Sequence, residues 1–346
     1  MKRFFVALVV AAISLFVSGC QANTAGAIMN NVSANPVDVL PIAINGPMKA
    51  ANAEISGLAL WNDAVVLLPQ YPDEYASERD DGTIYYLPIH EIEKFIIEPN
   101  NDPIQPQPIS MDLDGLIGQI PGYEGFEALT FFNREVFFTI EARQDAGMMG
   151  YVVKGVIEKG GDEWIIRLDS HTLTAIEPQA DIDNMTDEAM MVFDGVIYTF
   201  YEANGASVNT APVVHRFTTD LAEIDPMPMT NVPFRLTDVS LPDGDGNFWG
   251  MNYFYPSDTP VQGDFGTDPF SMLEKDAQLP GVVERIVPLT VMEDGSVVRG
   301  DAELISLTLL ADEARNWEGL VWLPDAGFVM VTDRYPTTIL GFVPLP

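Results

Sequence analysis

Positive charge is scarce in this sequence: 17 Lys and Arg stand against 51 Asp and Glu in 346 residues, a formal net charge of −34. So acidic a chain repels a phosphate backbone, which argues against nucleic acid as a partner. Cysteine is scarcer still. Cys20 is the only one, so an internal disulfide and Cys-ligated zinc are ruled out. The three histidines, His90, His171 and His215, are far apart, and neither an HExxH pair nor a GxSxG elbow occurs. Zincin and elbow-type serine-hydrolase chemistry therefore have no support.

No apolar run is long enough to span a bilayer. Phe4–Val17 follows Lys2 and Arg3 and covers 14 residues, against roughly 20 for a spanning helix. It reads as a signal peptide, residues 1–19. Its end, Val17-Ser18-Gly19-Cys20, resembles the bacterial lipobox, in which the cysteine becomes the lipidated first residue of the mature protein. Residues 20–36 are small and polar and read as a flexible tether. Gln21, rather than an Asp, follows the cysteine, and the resemblance then implies the outer membrane, facing periplasm or surface.

What the chain does have is apolar content, 47%, with 27 Gly and 26 Pro spread along it. That is the composition of many short strands punctuated by turns. Five segments superimpose: "SGLALWNDAVVLLPQ" from Ser56, "EALTFFNREVFFTIE" from Glu127, "EAMMVFDGVIYTFYE" from Glu188, "DVSLPDGDGNFWGMN" from Asp238 and "EGLVWLPDAGFVMVTD" from Glu318. Each is an apolar strand, a tight turn and a second apolar strand, a β-hairpin. Two further strand-like stretches follow most copies, such as "GTIYYLPI" and "KFIIEP" after the first. The pattern predicts an all-β fold, a five-bladed β-propeller of four-stranded antiparallel blades over residues 37–346. The stretch "VDVLPIAI" at 37–44 would supply the last blade's missing strand and close the ring.

The copies begin with Ser56, Glu127, Glu188, Asp238 and Glu318, and end with Gln70, Glu141, Glu202, Asn252 and Asp333. Both sets should meet at one mouth of the central channel, because the start of one hairpin strand lies beside the end of the other. All ten carry oxygen and seven are carboxylates, a set that calls for a hard cation among them. The first five are the candidate calcium ligands. "DGDGN" at 243–247 has the alternating oxygens of a calcium loop but sits at a hairpin turn and reads as a turn. The long connection 257–280 reads as a lid or as a local excursion.

The segments "EISGLALW", "GYEGFEALTFF", "LTDVSLPDG" and "NWEGLVWLPDAGFVMVTDR" resemble the propeller family described as esterase-like activity of phytase. The series Ser56, Glu127, Glu188 and Glu318 is also similar to the axial calcium ligands of the five-bladed calcium-activated nucleotidases, where Asp238 departs from an expected hydroxyl. Asn252-Tyr253 stands where the phytase-like family tends to have Glu-Arg. The resemblance implies a calcium-dependent hydrolase of small phosphate esters or anhydrides. Glu141 or Glu202 would serve as general base, and Arg143 or Arg334 would hold the phosphoryl oxygens. The alternatives are a non-catalytic, calcium-stabilised scaffold that binds an envelope partner, and a lactonase-like propeller. A monomer is expected.

Overall fold

The computed structural model describes residues 36–98, 102–255, 282–310 and 314–345. The signal peptide, Cys20, nearly all of the tether and the connection 257–280 lie outside the described residues.

Strand β1 (Leu40–Ile42) is followed by β2 (Ile55–Trp61), β3 (Ala64–Pro69), β4 (Gly82–Pro88) and β5 (Gln107–Asp112). Next come β6 (Tyr123–Phe132), β7 (Glu135–Gln144), β8 (Gly147–Gly160) and β9 (Glu163–Ile176), then β10 (Asp187–Phe193), β11 (Val196–Tyr201), β12 (Val213–Thr218) and β13 (Glu223–Pro228). The rest are β14 (Arg235–Val239), β15 (Asn247–Phe254), β16 (Val283–Val291), β17 (Val297–Arg299), β18 (Ile305–Ser306), β19 (Trp317–Leu323), β20 (Gly327–Thr332) and β21 (Leu340–Pro344). The chain is all-β and propeller-like.

Sheet orders are β10-β11-β12-β13, then β14-β15-β16-β17 with β18 also on β16, and β1-β21-β20-β19. An eight-stranded sheet, β2-β3-β4-β5-β9-β8-β7-β6, joins two meanders through a short parallel pairing of β5 with β9 at Ser110–Ile165 and Asp112–Arg167. The N-terminal strand β1 pairs with β21, so residues from both ends of the described chain share one sheet.

The hairpins form where the sequence places Asn or Asp at turns that need a left-handed residue. Asn62, Asn133, Asp194 and Asp325 all have positive φ, which these short polar side chains tolerate. The strands are apolar on both faces because each sheet lies between two others. On β3, Val66 and Leu68 join a cluster with Phe126 and Phe138, while Val65 and Leu67 join one with Val329 and Val331. Similar clusters fill the gaps between β10–β13 and each neighbouring sheet, and between β15 and β19–β20. The first strands pack in cyclic order, β2 on β6, β6 on β10, β10 on β14, β14 on β19 and β19 on β2.

One expected strand is a helix. "KFIIEP" falls largely within α1 (Ile89–Ile97), and β5 takes the outer position instead. Apolar residues three apart, Ile92 and Phe95, are buried on one helix face, a period a strand cannot use.

Candidate functional site

In four of the five first strands the ladder slips at the residue expected to face the axis. Register shifts fall between Ile55 and Gly57, Phe126 and Leu129, Asp187 and Ala189, and Trp317 and Gly319. The residues turned out of register include Ser56, Glu127, Glu188 and Glu318. A β-bulge re-aims one side chain while the strand continues, and here it directs Ser56 and the three glutamates into one cavity of ≈ 470 Å³. Close approach of the strands follows from the small residue after the bulge: a Cβ on Gly319 would lie 2.6 Å from Leu58 Cγ.

The fourth copy needs a correction of one residue. Its shift lies between Leu236 and Asp238, so Thr237 holds the bulge position. The Asp238 carboxylate, expected as a metal ligand, accepts backbone N–H groups instead: Leu320 at 2.7 Å and Leu58 at 3.3 Å on Oδ2, and Val239 at 2.8 Å on Oδ1. It ties β14 to β2 and β19 and does not line the cavity. Thr237 Oγ1 donates to the Trp317 carbonyl at 2.7 Å. The overlooked signal is a small or short residue followed by an apolar one, Ser-Gly-Leu, Glu-Ala-Leu, Glu-Ala-Met, Thr-Asp-Val and Glu-Gly-Leu.

The same slip moves the partner position from Asn252 to Tyr253, which pairs with Arg235 across the hairpin. Asn252 is fully buried, donating to the carbonyls of Pro233 and Arg235 at 2.7 Å and accepting from Arg285 Nε at 2.7 Å. Tyr253 lines the cavity, and its hydroxyl donates to Glu318 Oε1 at 3.1 Å. Gln70, Glu141 and Asp333 line the cavity as expected positions of the second set. Glu202, expected at the mouth, is instead fully buried outside the cavity lining, and its Oε1 accepts from Arg235 Nη1 at 2.5 Å.

Burial and mutual repulsion set the charge of this site. Glu127, Glu188 and Glu318 are pushed well above the ordinary carboxylate range, first by desolvation and then by Glu141, by Glu202 with Glu318, and by Glu202 with Asp333 respectively. Desolvation and Glu202 raise Glu141 to about 7. Desolvation and Glu54 raise Asp333 to about 6, against the lowering effect of Arg334. Among the described residues no ion pair reaches Glu127, Glu188 or Glu318; Gln70 Nε2 donates to Glu127 Oε1 at 3.2 Å. Asp333 Oδ1 is buried without a hydrogen-bond partner.

Of the expected phosphoryl clamps, Arg143 is held by Glu124 at 2.7 Å and by Asp183, outside the cavity lining. Arg334 lines the cavity with Nη1 on Glu54 at 2.9 Å. Arg235 and Arg315, which the spacing did not single out, also line it. The "DGDGN" segment is a turn: Asp243 Oδ1 accepts the N–H groups of Asp245 and Asn247 at 2.9 and 2.8 Å.

No family model matches the chain, and no curated protein does. Among solved structures it is similar to a glucose dehydrogenase at 11% identity and TM-score 0.43, over 87% of this chain and 99% of that one. A glycosyl hydrolase from Bacteroides ovatus aligns at 10% identity and TM-score 0.46, over 89% and 94% of the two chains. A GH43 endo-arabinanase from Bacillus licheniformis aligns at 8% identity and TM-score 0.43, over 87% and 94%. Likenesses this distant carry no functional argument.

Proposed function

We propose that the protein is a five-bladed, calcium-binding propeller, tethered to the outer membrane through Cys20, that hydrolyses small phosphate esters or anhydrides in the axial cavity. The cyclic packing of β2, β6, β10, β14 and β19, with β1 completing the last sheet, supports five blades. The observation that carries the functional reading is the set of buried glutamates, Glu127, Glu188 and Glu318, gathered by bulges on one cavity and, among the described residues, in no direct ion pair, although Arg235 partly offsets the charge at Glu318.

Ser56, Glu127, Glu188 and Glu318 would hold the ion, and their oxygen-only chemistry fits calcium better than zinc or a redox metal. Among the described residues no three Asp, Glu, His or Cys side chains already form a coordination shell. The fit therefore rests on donor type, burial and charge, and like-charged carboxylates repel one another. When bound, calcium would neutralise these glutamates and polarise the phosphoryl group as a Lewis acid.

Glu141 is the base in this reading. It lines the cavity, and its Oε2 accepts from Thr186 Oγ1 at 3.2 Å, which orients the carboxylate for proton transfer from a water in the cavity. Glu141 Oε1 takes the proton of the water that attacks phosphorus. The P–O bond to the leaving group breaks, and that oxygen is protonated from solvent. Glu202 is the weaker candidate because it does not line the cavity and its Oε1 is held by Arg235.

A scaffold reading, calcium without catalysis, draws support from the carboxylates that already hold Arg143 and Arg334. Glu141→Gln separates the two. In the hydrolase reading, turnover of a phosphate-ester and nucleotide panel with calcium falls about 100-fold or more, while calcium content stays. A calcium-loaded wild type inert across that panel would end the hydrolase reading.

A further inference from the structure

Sequence spacing gave Arg315 no role, yet it is 5% exposed and lines the cavity. Its guanidinium is fixed from one side. Nε donates to Glu284 Oε2 at 2.7 Å, Nη2 lies 2.6 Å from the same oxygen, and Nη2 donates to the Thr308 carbonyl at 2.7 Å. The Arg315 backbone N–H meets Glu284 Oε1 at 2.9 Å, and Trp317 Nε1 donates to Glu284 Oε2 at 2.8 Å. Trp317 also sits under the guanidinium, with Cζ 5.0 Å from the ring centroid. Nη1 bonds to none of the described residues.

Arg334 is arranged in a similar way: Glu54 holds Nη1, and the head stays half-exposed. The two arginines flank the open end of one hairpin, one beside each strand. Asn316 N–H donates to the Tyr335 carbonyl at 3.0 Å and Asp333 N–H to the Asn316 carbonyl at 2.9 Å, so these segments run side by side. Along the hairpin both stand farther from its turn than Glu318 and Asp333 do. A guanidinium clamped by one carboxylate keeps its remaining N–H edge in fixed orientation, the arrangement that binds an oxyanion with little ordering cost.

We propose that Arg315 and Arg334 form an anion subsite for a tetrahedral oxyanion, the phosphoryl group of the substrate, between the fifth hairpin and the ion held by the glutamates. This deepens the phosphate-ester reading and rests on it. Arg315 is the specificity-determining residue, because Glu284 and Thr308 take up Nε and Nη2 and leave Nη1, in fixed orientation, for an oxygen of the anion. The acidic cavity repels anions until calcium is bound, so phosphate and calcium should each strengthen binding of the other.

Calorimetric titration of inorganic phosphate into the calcium-loaded full chain tests this. The wild type binds phosphate with calcium and not in chelator, and Arg334→Gln and Arg315→Lys each weaken binding about tenfold or more, the worth of a charge-assisted hydrogen bond. Unchanged phosphate affinity in both variants overturns the subsite, as does a calcium-loaded wild type that binds no phosphate. Should Arg315→Lys not fold, ¹⁵N-arginine resonances of the wild type replace it: an Arg315 side chain unmoved by phosphate refutes its role. Turnover is read separately. Hydrolysis that ignores both substitutions sinks the subsite alone, and phosphate binding through both arginines without turnover sinks only the hydrolase.

Discussion

Asp238 and Thr237 show how one residue changes what a carboxylate is for. Asp238 sits a single position past the bulge, and its oxygens meet three backbone N–H groups from β14, β2 and β19. Asn in its place offers one acceptor and turns an NH₂ toward backbone donors. Asp238→Asn should therefore lower the unfolding free energy by about 1–3 kcal/mol in denaturant titration and leave calcium content unchanged. Loss of calcium at unchanged stability would return Asp238 to the ligand set. Glu202 carries a related lesson. It was legible as an acid at the mouth, but its pairing with Arg235, 33 residues away, was not.

At the scale of elements, the hairpins were readable because turn chemistry is local: Asn62, Asn133, Asp194 and Asp325 announce their turns by type. Bulges were harder to read, since they shift a two-residue period by one and depend on the packing of neighbouring strands, and their only local trace is the short residue after the bulge position. The outer strands were least secure. "KFIIEP" has strand-like composition, and only the burial of Ile92 and Phe95 decides for a helix. The N-terminal apolar run is an element of another kind, a targeting segment in our reading. Cys20→Ser should release the protein from the membrane fraction or block its processing; unaltered fractionation and processing would refute lipidation.

For the whole molecule the decisive quantity is charge confined in a small volume. Glu141 at about 7 and Asp333 at about 6 are raised above unfolded values near 4. With raised pKa values the folded state holds more protons than the unfolded one between those limits, so stability falls as pH rises. The chelated protein should lose thermal stability from pH 4 to beyond 7, the window widening upward through Glu127, Glu188 and Glu318. Calcium should flatten that slope, and Glu127→Gln with Glu318→Gln should remove the effect of calcium. Identical melting curves with and without chelator at pH 8 would rule out an axial ion. The surface acids of a −34 chain add their own repulsion, which salt screens and buried groups escape.

The sequence by itself determined the inner strands, their pairing into hairpins and the presence of oxygen-bearing residues at the hairpin ends, because turn preference and apolar periodicity act over a few residues. It also placed Ser56, Glu127, Glu188, Glu318, Glu141 and Arg334 among the candidates, all of which line the cavity. Only the tertiary structure decided which side chain each bulge turns inward, that Arg235 holds Glu202, and that Glu284 and Trp317 fix Arg315. Those outcomes depend on contacts between strands tens to hundreds of residues apart, where a burial cost or an ion pair is set by neighbours that no local pattern names.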